Sequence, residues 1–129
     1  MDSKFTVEDI RILQPSLKVE KEIYIIEQEA SKLYLEVYLN TDYGFEYELY
    51  DQDYDQIDGG VVDHVDYEND DIVVDLIVAL LDELGIKGNN ITKMPETEIS
   101  GFEAHADLMW RKKVETLKRE FKLLDKEWK

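Results

Sequence analysis

The strictest constraint on this chain is a pair of alternating runs held apart by turn chemistry. Leu33, Leu35, Val37 and Leu39 fall on one side of an extended segment, and Tyr34, Glu36 and Tyr38 on the other. After Asn40-Thr-Asp-Tyr-Gly44, where Gly44 is free to take positive φ, Phe45, Tyr47 and Leu49 alternate against Glu46, Glu48 and Tyr50. A period of two laid on a helix would scatter these apolar residues around it. The spacing therefore predicts two hairpin strands with an apolar inner face and a Tyr/Glu outer face.

The remaining elements are read around that hairpin. From Val19 onward, Ile23 and Ile25 alternate with Tyr24 and Ile26, which predicts a preceding strand bounded by Ala30-Ser31-Lys32. Asp51 to Asp55 is a polar turn, and Gln56 to Val62 reads as a fourth strand. Gly59-Gly60 inside it mark a bulge or a close backbone approach. Thr6 with Glu8 and Asp9 signals a short N-terminal helix that Pro15 stops, with an extended arm as the alternative.

Residues 63–69 read as an acidic loop, and Asn69-Asp70-Asp71 as the cap of a helix running to Leu84, with Gly85 as its stop. Its broad apolar face (Ile72, Val73, Leu76, Ile77, Leu80, Leu81, Leu84) is expected to lie across the sheet. Residues 86–100, with Gly88-Asn-Asn90 and Met94-Pro95, read as a loop. The last helix, about residues 102–128, carries Trp110, Val114, Leu117, Phe121, Leu124 and Trp128 as a heptad seam. That seam is expected to pack within the chain; pairing with a second copy is its other use.

These elements make an α+β fold: an antiparallel meander of three or four strands packed against two long helices on one face, with a short N-terminal helix. At 129 residues the expectation is a single domain over 1–129. A hydrophobic share of 43% excludes a wholly disordered acidic tail. The longest apolar run, Leu76 to Leu81, is too short for a bilayer, so a cytoplasmic protein without membrane contact is expected. The absence of cysteine removes disulfides, thiolate nucleophiles and Cys-based metal sites.

Charge is distributed unevenly. From Leu33 to Ile86 there are sixteen Asp and Glu and no Lys or Arg, in a chain of net charge −16. Residues 105–129 have the opposite bias, with eight basic and five acidic side chains. Such a chain lacks the basic footprint that direct nucleic-acid binding needs.

No catalytic pattern stands out. Asp51-x-Asp53-x-Asp55 has the opening spacing of a calcium loop, but Gln56 and Val62 occupy the positions that need glycine and a bidentate glutamate. His64 and His105 fall in no paired-ligand pattern and read as surface residues, and there is no G-x-S-x-G. The expectation is a protein that is not an enzyme and takes neither cofactor nor metal.

The acidic, tyrosine-rich segment has two readings. It could serve solubility alone, or it could serve recognition. Like charges at close range cost roughly 1 kcal/mol per pair in water, and a basic partner relieves that repulsion. Tyrosines between the acids supply flat contact area of the kind favoured at binding hot spots. The candidate partner-binding residues are Glu46, Glu48, Asp51, Asp53, Asp55 and Asp58 as charge contacts, with Tyr50 and Tyr54 as anchors.

In size, charge and the acidic strand–turn–strand segment of residues 42–66, the chain resembles the small acidic inhibitors of phages and mobile elements, the anti-CRISPR and antirestriction proteins that mimic DNA. The resemblance implies a basic, nucleic-acid-binding enzyme as partner, inhibited by occlusion of its groove. An immunity or antitoxin-like protein neutralising a basic toxin would use the same surface. A structural homo-oligomer, a homodimer formed through the C-terminal seam, is the reading from a different class.

Overall fold

A computed structural model describes residues 2–15, 21–40, 44–62 and 70–128. Four strands follow one another as an antiparallel meander: β1 (Lys21–Glu27), β2 (Lys32–Asn40), β3 (Gly44–Asp51) and β4 (Gln56–Val62). The chain then runs through helix α2 (Asp70–Glu83) to a fifth strand, β5 (Asn90–Lys93), which pairs antiparallel with β1. The sheet order is thus β4-β3-β2-β1-β5, and the α2 connection carries the chain from one edge to the other. A helix of 33 residues, α3 (Glu96–Trp128), ends the described chain. The predicted hairpin appears with Leu35 opposite Leu49, Glu36 opposite Glu48 and Asn40 opposite Gly44, whose φ is 97°.

The strand count exceeds the expected three or four because residues 86–100 are not all loop. Asn90-Ile-Thr-Lys93 is short and buries only Ile91, so it shows no usable period in sequence. Helix α3 also starts earlier than expected, at Glu96 directly after Pro95, a residue that cannot donate to the helix it precedes.

The short N-terminal helix α1 (Val7–Arg11) is present, opened by a capping box in which Thr6 and Asp9 each accept the other's backbone N–H. Gly60 explains its place in β4. A Cβ there would lie 3.0 Å from the Tyr47 ring, so the glycine lets that ring lie over the edge strand, and the β3–β4 ladder shifts register just before the pair, where Leu49 faces Asp58 and Tyr50 faces Gln56.

The two long helices lie on opposite faces, which corrects the one-face expectation. Helix α2, with Ile10 of α1, buries Val73, Val74, Ile77, Leu80 and Leu81 against Tyr24, Ile26, Leu35, Val37, Phe45 and Leu49. On the other face, Phe102 of α3 packs with Ile23, Tyr50 and Met94, flanked by Ile25, Tyr34, Tyr54, Ile99 and Ala106. The physical reason lies in the strands, whose outer face is aromatic and aliphatic as well as acidic. Ile23, Ile25, Tyr34 and Tyr50 form a second apolar surface that a helix must cover.

The heptad seam departs further from expectation. Trp110, Leu117 and Phe121 remain 59%, 50% and 65% exposed and only Val114 is partly covered, so most of the described seam does not pack within the chain. The side chains of Leu124 and Trp128, the 63–69 loop with His64, and the Asn69 cap lie outside what is described.

Candidate functional site

The β3–β4 turn anchors the site. Asp51 accepts from the backbone N–H groups of Asp53 (2.8 Å) and Asp55 (3.1 Å) through one carboxylate oxygen, folding the turn around itself. This is what the Asp51-x-Asp53-x-Asp55 spacing does here. The tight return forces Tyr54 to φ 65°, a conformation usually left to glycine or asparagine. Its ring lies stacked against Tyr34 (5.5 Å, 13°) and against His105 of α3 (4.8 Å, 18°). Phe102 contacts Tyr34, Tyr50 and Tyr54 with centroids 5.1, 5.1 and 5.7 Å away. An ion pair from Lys113 to Asp55 adds a second tie between the turn and α3.

Beside this aromatic cluster the sheet and α3 diverge and leave a cleft of about 700 Å³. Glu36 and Glu48 come from the sheet, Glu103 and Asp107 from the helix, and Asp55, Asp58 and Gly59 from the turn side and β4. Tyr50, Tyr54, Met109 and Trp110 supply apolar wall, and Lys21 and Lys113 are its cations. The described lining contains no serine, threonine, cysteine or histidine.

The carboxylates are not equivalent. Glu36 is only 5% exposed, and its pKa is pushed up to about 7. Burial is the main cause; Lys21, 3.7 Å away, works against it, while the charges of Glu48 and Glu103 and a hydrogen bond with Glu48 work with it. Lys21 itself is pulled down by burial. Glu103 (3.0 Å) and Glu36 more than reverse that, so its pKa ends raised. The Tyr50 hydroxyl donates to Glu48 at 2.8 Å, and burial together with that bond holds its pKa above the ordinary tyrosine value.

Of the eight residues expected from sequence, Glu48, Tyr50, Tyr54, Asp55 and Asp58 line this cleft. Glu46, Asp51 and Asp53 do not: Glu46 interacts with the Tyr38 hydroxyl, Asp51 holds the turn, and Asp53 stands exposed at its tip. Tyr50 and Tyr54, expected as anchors for a partner, have their rings packed on Phe102 while still lining the cleft. The sequence reading passed over Lys21, Glu103, Asp107 and Lys113. Glu36 was legible as facing the same side as Glu48; its position directly opposite required the register.

A family profile described as large polyvalent protein-associated domain 16 matches residues 23–106. The chain belongs to that family. The LPD16 segment begins in β1, takes in the rest of the sheet and α2, and ends at Ala106, the last α3 residue packed against the aromatic cluster. Glu36, Glu48, Tyr50, Tyr54 and Glu103 fall inside it; Asp107, Trp110 and Lys113 fall beyond it. No curated protein and no solved structure matches the chain. Among the described residues, no helix is long and apolar enough to cross a membrane.

Proposed function

We propose that this LPD16 protein is a non-catalytic acidic binding protein that takes a basic segment of a partner protein into the cleft between the sheet and α3. The observation that carries the reading is convergence. Glu36, Glu48, Glu103, Asp107 and Asp58 face one concavity lined by only two lysines, Lys113 paired with Asp55 and Lys21 with Glu103, while Arg111 pairs with Asp107 from outside it. A guanidinium or ammonium entering there meets several carboxylates at once, and Ile57 and Met109 provide apolar surface for its aliphatic stem.

The concave form favours insertion of a cationic side chain, with the exposed Asp53 and Asp58 steering its approach. Nucleic-acid-processing enzymes carry such cationic segments in their grooves. Inhibition by occupying that groove, as a nucleic-acid mimic of the anti-CRISPR or antirestriction kind deployed by a phage or mobile element, is the specific form of the proposal. Membership of a large polyvalent protein-associated family is compatible with that origin.

The test is affinity capture from host lysate at low and high salt, with wild-type protein and the double variant Glu103→Lys/Asp107→Lys. Both positions are exposed on α3, so reversal leaves the core intact. A captured basic protein that is lost in the variant, weakens with salt and is displaced by duplex DNA supports the full reading. Capture that resists DNA but fails in the variant keeps the cleft and reassigns the client to a basic toxin. Equal capture by both proteins removes the cleft as the binding site.

A further inference from the structure

Helix α3 is longer than the body it packs on. Thirty-three residues at 1.5 Å each make about 50 Å, whereas five strands about 4.8 Å apart make a sheet about 20 Å wide. Its contacts with the aromatic cluster end at Ala106, and so does the LPD16 match. Beyond that point the helix borders the cleft, keeps one ion pair to the body, Lys113 with Asp55, and carries Trp110, Leu117 and Phe121 half exposed or more, and Val114 partly so, at heptad spacing. An amphipathic helix with its apolar stripe turned to water is unstable as it stands and needs a partner.

We infer that the overhanging half of α3 forms an antiparallel two-stranded coiled coil with the same segment of a second copy. Two observations select this occupant and this direction. The first is the charge beside the seam. With Val114 and Phe121 at a and Trp110 and Leu117 at d, the sequence places Arg111, Lys118 and Asp125 at e, and Lys113, Glu120 and Glu127 at g. In a parallel pair the g–e′ neighbours would be Lys113 with Lys118 and Glu120 with Asp125, every one of like sign. In an antiparallel pair the register sets Arg111 beside Asp125 and Lys113 beside Glu127, in exchange for their partners within the chain, Asp107 and Asp55, and like charges fall together only at the two-fold axis, Lys118 with Lys118 and Glu120 with Glu120. The segment is self-complementary in one direction alone.

The second is the net charge of −16. Parallel helices would hold two acidic bodies side by side. Antiparallel helices set them at opposite ends of an overlap of about 27 Å, several screening lengths at physiological salt.

Sedimentation over a range of concentrations, with the intact chain, tests the association. A reversible dimer is expected, abolished in Leu117→Lys/Phe121→Lys with the circular dichroism of the body unchanged. The chain has no cysteine, so single replacements report direction. Lys118→Cys lies beside its own copy only in the antiparallel pair and should cross-link on mild oxidation. Val114→Cys lies against its own copy only in the parallel pair and should not. A strict monomer at every concentration overturns the proposal and assigns the stripe to a different chain. Cross-linking of Val114→Cys with none at Lys118→Cys overturns the direction.

Discussion

Glu36 and Glu48 stand directly across from each other on β2 and β3, and the more buried of the two keeps its proton up to near neutrality. Register alone creates this pair, because each residue is unremarkable in its own strand. The consequence is a stability profile with a defined sign. An unfolded glutamate titrates near about 4.3, whereas Glu36 in the fold titrates at about 7. Between those values the native state binds the extra proton, so its contribution is fully present below the lower value and is lost as pH rises through the upper one. Glu36→Gln keeps a neutral, hydrogen-bonding side chain and abolishes the titration. Urea midpoints should show the variant more stable than wild type at pH 8 by about 3 kcal/mol, the difference vanishing below about pH 4. A difference that does not change with pH would mean Glu36 is charged throughout.

Tyr54 makes a prediction of the opposite kind from the usual one. Its φ of 65° costs a side-chain-bearing residue about 1 kcal/mol, and its stacking on Tyr34 and His105 offsets that cost. Tyr54→Ala loses the rings and keeps the strain, so it should destabilise by about 2–3 kcal/mol. Tyr54→Gly loses the same rings but relieves the strain, and should be about 1 kcal/mol more stable than the alanine variant. Equal denaturation midpoints for the two would show that the turn relaxes out of the left-handed region.

How far the fold was readable from sequence follows from the same residues. The hairpin was legible because Leu33–Leu39 and Phe45–Leu49 obey one period on each side of a glycine turn, and nothing tertiary overrides it. The fifth strand was not, because the pairing of Asn90–Lys93 with β1 rests on one buried isoleucine between breakers. The second covered face was half visible: Tyr34 and Tyr50 were seen on the acidic side of the strands, yet an exposed and a helix-covered tyrosine read alike in sequence. The cleft combined both problems. Its sheet half lay in the expected acidic segment, while Glu103 and Asp107 come from a helix whose placement no local pattern encodes.

Gly88 holds the N-terminal arm to the sheet. Its N–H and C=O exchange two 3.0 Å bonds with Ser3, and a Cβ would lie 2.7 Å from the Glu27 carbonyl oxygen and 2.8 Å from the Phe5 ring. A backbone carbonyl cannot move aside as a side chain can. Gly88→Ala should therefore cost about 2 kcal/mol and free the arm. Amide exchange at Ser3 should accelerate well beyond any change at Leu35 in the core, and equal protection in the variant would show that the arm is held by other contacts.

Two apolar residues of α3 should behave in opposite ways, because the helix is anchored at one end only. Phe102 is 3% exposed, its ring in contact with three tyrosines of the sheet and turn. Phe102→Ala opens a cavity between α3 and that face and should cost about 3–4 kcal/mol. Leu117 is 50% exposed and lies beyond the packed segment. In dilute solution, where copies do not meet, Leu117→Ala should change stability by less than about 0.5 kcal/mol. The contrast separates an overhanging helix from one that folds back, since both readings demand the phenylalanine and only the second demands the leucine. A loss of about 2 kcal/mol or more for Leu117→Ala at high dilution would place the seam against its own chain.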